Sequence, residues 1–460
     1  MREIVTAATV RGPNYDSFHS MRDNPFTKVT SALATVVARK FLPVIAVFGA
    51  ACGGAGTFSD DPVAPLPGVL CANGSVGVWR DMISFQPRGL SVSWAAIQRE
   101  NQPWQSIAAQ ATVTLNPGER IGLAKWLPAV SPHGANILEI FFVTAEQAQT
   151  AFACVPSSTK SVHGNAEGLE DGMLPGKLGG YLTIGNSSTN LANGPFTLDG
   201  LLPGHTDLVA TRLDAPPKTI IRRGVDYPNG SAISLLNFGS IEAIGLEPHT
   251  LTVNGTNIIQ FDARSQIVTQ RGTVGLLSDD FAREGTGIRT LTLYSVPESR
   301  LNNDEVQFFN VDPEDSRRAM VFFRHPADRT LTLGPDPTTA TATHSGTAPN
   351  LTLRVDMPSQ PEYGAQVTFS LCSSDANSSF PGTRVALLVT KEYIGATPPT
   401  WSVTVPDLTS VQGFPGADIR AYNLCGVEGL TNLPFAFAPQ TTHDGDVFTA
   451  VISGVNVLNQ

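Results

Sequence analysis

Apolar and polar residues alternate with a period of two in short runs through most of the chain. Clear examples are residues 110–115 (QATVTL), 257–263 (NIIQFDA), 289–296 (RTLTLYSV), 305–311 (EVQFFNV), 350–355 (NLTLRV), 366–371 (QVTFSL) and 400–405 (TWSVTV). Valine, threonine and aromatic residues fill these runs, and turn residues separate them. Each run therefore predicts a strand with one face inward and the other toward solvent. Helical periodicity is scarce. The best stretch is 144–153 (TAEQAQTAFA), where Thr144 is placed to cap the first turn and Glu146 to complement the helix dipole. The chain is expected to be all-β, with several β-sandwich domains in series.

Three stretches without periodic apolar residues predict joints: 52–68, 156–180 and 334–349, each rich in Gly, Pro, Ser or Thr. They divide the chain into β-rich domains at 69–155, 181–333 and 350–460. Thr-Leu-Thr recurs at 250–252, 290–292 and 330–332, forty residues apart each time. The flanks of the three copies share nothing, so the recurrence reads as a common strand tripeptide rather than a repeat.

Composition sharpens this picture. The 460 residues include 42 Gly and 34 Pro, and only 15% are charged, against about 25% in ordinary globular chains. That excludes a coiled coil and a charge-rich disordered chain. The net charge of −10 lacks the basic footprint that nucleic acid demands, so no nucleic-acid partner is expected.

The first fifty residues suggest an address. Arg39 and Lys40 precede an apolar or small run at 41–51, followed by Cys52. A basic segment, a short apolar core and small residues form an export signal, here 1–51, and a start at Met21 would give its basic segment ordinary size. The run is too short to cross a hydrocarbon layer of about 30 Å as a helix. Gly49-Ala50-Ala51-Cys52 resembles the lipobox of bacterial lipoproteins, with Gly49 where that family usually has Leu. The resemblance implies that Cys52 is lipidated, with residues 52–68 as its tether. It also implies an envelope location, and Gly rather than Asp at position 54 implies the outer membrane. Segment 1–51 carries a charge of +3, so the exported part is near −13. Such a surface is repelled by anionic headgroups, and attachment must come from the acyl chains. Setting Cys52 aside leaves Cys71, Cys154, Cys372 and Cys425. An exported protein permits disulfides, and Cys71–Cys154 with Cys372–Cys425 is the economical one of three connectivities.

Residues 180–213 carry a more specific pattern, FTLDGLLPG at 196–204 followed by the alternating Asp207-Leu208-Val209-Ala210. This resembles the carboxypeptidase regulatory-like module, a small transthyretin-like sandwich in which a Pro-Gly turn joins two strands. The resemblance implies Ig-like or transthyretin-like sandwiches and transfers no catalytic residue. Physically, Pro203 would set φ in the turn and Gly204 would supply φ > 0. The module is expected to run on to Asn254, and Asp207 reads as an outward-facing solvated residue. A looser likeness links 401–413 (WSVTVPDLTSVQG) to the closing region of exported bacterial lipoproteins with no assigned activity.

Motifs for chemistry are missing from the sequence. There is no Gly-x-Ser-x-Gly elbow, no His-Glu-x-x-His and no Cys-x-x-Cys. His19, His133, His163, His205, His249, His325, His344 and His443 are dispersed and read as surface loop residues. Asp279-Asp280, Asp304-Glu305 and Asp312-x-Glu314-Asp315 could offer oxygen ligands to calcium but match no EF-hand loop. Four of five tryptophans, Trp79, Trp94, Trp104 and Trp126, fall in the first segment, as core residues or as a stacking surface for sugars. The reading is a noncatalytic, lipid-anchored envelope protein without cofactor or metal. Its sandwiches would serve a structural role or bind a cell-surface glycan or protein. Two other readings stay open: a carbohydrate-binding surface protein using those tryptophans, and an exported hydrolase with a site assembled from scattered residues.

Overall fold

The computed structural model describes residues 68–71, 92–152 (except 101, 110 and 130–135), 159–169, 179–255 (except 186 and 215), 260–283, 288–335 (except 314–316), 341–346, 351–356, 363–372, 383–395, 400–451 (except 436) and 456–459. The fold is all-β, and its sheets pack in pairs as β-sandwiches. The helix expected near 144 forms as Ala145–Ala151, with Thr144 accepting from the Gln147 amide in a capping box. No helix among the described residues is long and apolar enough to cross a membrane.

The first complete sandwich lies at 160–246. The strands Gly180–Ile184, Ser187–Leu191, Thr206–Arg212, Lys218–Val225 and Ile244–Gly245 form one wall. Lys160–Glu167, Gly194–Leu201 and two short strands form the other. Leu182, Leu198, Leu208, Ile220 and Phe238 fill the space between. The strand Lys160–Glu167 lies inside the stretch 156–180 that the sequence predicts as a joint. Its inward positions are Val162, Gly164 and Ala166, residues too small to give a strong alternation in hydrophobicity. Gly204 has φ +113°, the left-handed value that the Pro-Gly turn requires.

The second sandwich, 247–333, sets Glu247–Asn254, Arg289–Ser295 and Arg329–Thr332 against a wall that includes Gln260–Val268, Val306–Pro313 and Arg317–Phe323. Glu247–Asn254 thus belongs here, rather than closing the preceding module. The three Thr-Leu-Thr copies are the three strands of one sheet. Leu251 is the partner of Leu291, and Thr252 is flanked by Thr290 and Thr330. Leu251, Leu291 and Leu331 all enter one core. The recurrence therefore marks sheet neighbours, not a tandem repeat.

The largest sheet has twelve strands among the described residues. From edge to edge they are Val274–Arg283, Gln260–Val268, Val306–Pro313, Arg317–Phe323, Val447–Val451, Asn423–Thr431, Gln366–Cys372, Thr383–Thr390, Asn136–Thr144, Arg120–Leu127, Trp94–Arg99 and Gln105–Ile107. Neighbours run antiparallel except where Thr383–Thr390 pairs in parallel with Asn136–Thr144. The sheet joins segments that the sequence boundaries had set apart. Trp94, Trp126, Ile140 and Phe142 from the first segment share a core with Leu353, Phe369, Leu387 and Trp401 from the last. A second sheet at the C-terminal end includes Thr341–Ser345, inside the expected joint at 334–349. It pairs antiparallel with Thr352–Asp356 and parallel with Asn456–Asn459. Its run of small and polar residues (TATHS) hides the inward position, Ala342.

Candidate functional site

Cys372 and Cys425 form a disulfide with Cα atoms 5.9 Å apart, linking two adjacent strands of one sheet. Cys71 ends the strand Gly68–Cys71. Cys154 and Cys52 lie outside the described residues, as does Trp79. The Cys372–Cys425 bridge closes 53 residues, for which chain entropy gives about 4 kcal/mol. Cys372→Ala with Cys425→Ala should lower the urea midpoint by the equivalent of about 2–4 kcal/mol, and reduction of the wild type should mimic it.

The tryptophans mostly serve the core. Trp94, Trp126 and Trp401 are buried. Phe414 packs against both Trp94 and Trp126, with centroids at 5.1 and 5.9 Å, and Trp94 Nε1 donates to the Gln412 carbonyl. Trp104 is half-buried against Phe142. Sugar stacking on Trp94 and Trp126, one of the open readings, has no exposed ring face to use.

Among the described residues, no group of three His, Cys, Asp or Glu side chains is placed to hold a metal. Asp312 is clamped by Arg318 at 2.7 and 2.8 Å, and Asp304 accepts from Gln270. The described histidines do not converge on a shared site. His163, His249 and His344 lie within strands rather than loops, and burial pushes the imidazole pKa of His249 down. His325 is exposed, and its hydrogen bond with Glu298 raises its pKa.

A shallow cleft of about 390 Å³ opens between the turns at Glu100 and at Pro117, lined also by Arg99, Gln102 and Glu119. Glu100 has φ +45°, the one positive value at a non-glycine residue among those described. The cleft's charges hold its own turns. Glu119 accepts from Arg99 and from the Asn116 amide, and Glu146 accepts from the Gly118 amide at 2.6 Å. That last bond lowers the Glu146 pKa. The arrangement orders two turns and presents no nucleophile beside a base.

The most heavily built polar site surrounds Asp207, whose side chain is 1% exposed. Asp207 does face out of its own sandwich, but that outer face is covered by the second sandwich, so the strand is buried on both sides. The register of Thr206–Arg212 against Lys218–Val225 shifts here, setting Arg223 and Gly224 opposite the single Asp207. Such a bulge re-aims the side chains it carries. The Asp207 carboxylate accepts from the Gly224 amide at 2.6 Å and from the Arg271 amide at 3.2 Å. Thr273 Oγ1 donates to the Asp207 carbonyl at 3.0 Å. The re-aimed Arg223 forks onto Glu305 at 2.7 Å twice and reaches the Arg300 carbonyl. Its bond to buried Glu305 raises the guanidinium pKa above its ordinary value, against the opposing effect of burial.

Beside these groups Val209, Leu246, Ile267, Leu277 and Val296 form a separate apolar cluster. Gly275 permits it: a Cβ there would sit 2.2 Å from Val209 Cγ1. An aspartate at an outward position, followed by an equally outward valine, was the available signal that this face is covered.

No protein-family model matches the chain, and no curated protein matches it. Several solved structures are similar at a low level, among them these two. One is described as the Bacillus anthracis TIE protein, with 10% identity and a TM-score of 0.14, covering 85% of this chain and 67% of that one. The other is described as a Ca2+-stabilized adhesin that helps an Antarctic bacterium reach out and bind ice, with 9% identity, a TM-score of 0.14, and coverage of 80% and 90%.

Proposed function

We propose that the protein is an exported, noncatalytic envelope lipoprotein, anchored through an acylated Cys52, that presents β-sandwiches for a binding or structural role. The observation that supports this reading best is the way the chain closes on itself. Segments 94–152 and 351–451 contribute to one core, so the sandwiches at 160–246 and 247–333 are inserted between the two halves of a single body. The first half of that body follows the proposed tether in the chain. A tethered base carrying inserted sandwiches suits presentation to a cell-surface glycan or protein. The disulfide between Cys372 and Cys425 suits an oxidising compartment outside the cytosol.

The anchor would hold by acyl burial at about 0.8 kcal/mol per CH₂, since the acidic surface gives no help from anionic lipid. Metabolic labelling with a fatty-acid analogue tests this in the native host. The wild type is expected to take up label and to fractionate with membranes, and Cys52→Ser is expected to do neither. Equal labelling of the two proteins would sink the anchor.

A further inference from the structure

We infer that Asp207 and the turn at 269–273 form a lock that fixes the second sandwich on the first, so that residues 160–333 act as one rigid arm. This goes beyond the anchoring reading and does not depend on it. A hinge between domains needs a few loop residues free to absorb changes in φ and ψ, and usually a polar, wet interface. Neither is present here. The strand Ile244–Gly245 belongs to the first sandwich and Glu247–Asn254 to the second. Only Leu246 stands between them. Its amide donates to the Pro217 carbonyl, and its side chain is buried in the apolar cluster of the junction.

Three kinds of contact then oppose rotation. Val209 lies over Gly275 with no room for another carbon, which fixes the separation of the two sheets. The turn at 269–273 is plugged onto Asp207 by one backbone amide and one hydroxyl, and its Arg271 guanidinium adds an ion pair to the carboxylate at 3.8 Å. Rotation would strip partners from a carboxylate that water does not reach. At one side the Arg223 fork holds Glu305, itself buried. The same turn is gripped from the C-terminal region, where Gln440 Nε2 donates to the Thr269 carbonyl. The turn is thus held from two directions, and bending at the junction would break directional bonds in a dry setting, where unmet polar groups are costly.

Amide hydrogen exchange on the full chain tests the lock. Peptides covering 206–225 and 266–276 should exchange as slowly as the interior strands Gly180–Ile184 and Val306–Pro313. In Asp207→Ala, exchange across 266–276 should rise at least tenfold while those interior strands stay protected. Arg223→Ala removes a partly exposed side chain that neither sandwich core uses. It should give the same selective rise and broaden the distance distribution seen by small-angle scattering, so the test survives if Asp207→Ala fails to fold. Fast exchange at 266–276 in the wild type, or no change in the folded Arg223→Ala protein, would overturn the lock. Neither readout involves acylation, so loss of the lock and loss of the anchor are distinguishable.

Discussion

A chain truncated after Leu333 is expected to lose the folded state of residues 94–152 together with the segment removed. Among the described residues, the strands Trp94–Arg99, Arg120–Leu127 and Asn136–Thr144 have no facing sheet from their own segment on the side that carries Trp94, Ala96, Ala124, Trp126, Leu138, Ile140 and Phe142. Those side chains meet Leu353, Phe369, Leu387, Trp401 and their neighbours instead. Burying each large apolar side chain contributes about 1.5–3 kcal/mol, so losing several exceeds the roughly 5–15 kcal/mol that holds a domain folded. The truncation also frees the edge of Asn136–Thr144, which pairs in register from Asn136 with Thr383 to Phe142 with Val389. On the opposite face Leu388 and Phe435 leave the cluster around Phe141 and Phe152. Tryptophan emission should shift to the red, and the amides of 120–127 and 136–144 should exchange at unfolded rates. The sandwich at 160–246, whose core among the described residues draws on its own segment, should keep its protection. Persistent protection at 120–127 in the truncated chain would show that the first segment folds alone. The same reasoning predicts that residues 69–155 expressed by themselves are unfolded.

This long-range dependence marks the point at which the sequence stopped being legible. Alternation within a run is a local property, and the strands it predicted at 289–296, 366–371 and 400–405 are present as Arg289–Ser295, Gln366–Cys372 and Thr400–Thr404. The capping of Ala145–Ala151 by Thr144 was equally local and equally readable. Strands built from small residues escaped. Val162, Gly164 and Ala166 face inward as regularly as any leucine, but the contrast with their neighbours is slight, and two such strands were read as joints. Pairing between residue 140 and residue 387 leaves no trace in either run, because each is a buried strand with many possible partners. Asp207 illustrates the same limit at the candidate site. Its outward direction followed from alternation, whereas its burial depended on a turn more than sixty residues away. Thr-Leu-Thr went the other way: three copies of a common tripeptide stand side by side because each places one leucine in the same core.

The second large effect is expected at a pair whose signal was present but faint. Lys125 sits on the same face of its strand as Ile121 and Leu123, and Glu139 on the same face as Phe141 and Val143, so alternation places both inward. They are register partners on adjacent strands. The Lys125 side chain is fully buried and Glu139 nearly so, with Nζ 3.9 Å from Oε2. The ammonium also lies over two rings, 4.9 Å from the centroid of Phe152 and 5.4 Å from that of Phe141. Taking both charges from water costs several kcal/mol each, and their attraction offsets this only while both remain. Glu139→Ala or Lys125→Ala alone should therefore cost about 3–5 kcal/mol, the penalty of leaving one buried charge without its oppositely charged register partner. Lys125→Met with Glu139→Leu should cost far less than the sum, because it removes both charges and keeps most of the volume. The ammonium–ring contacts, worth about 2 kcal/mol when desolvated, set the loss that the double variant cannot recover. Urea unfolding of the four proteins completes a double-mutant cycle, and residues in direct contact should show a coupling of at least 1 kcal/mol. Single variants within about 0.5 kcal/mol of wild type, adding without coupling, would mean that the two charges are solvated in solution and that this face of the sheet is open to water.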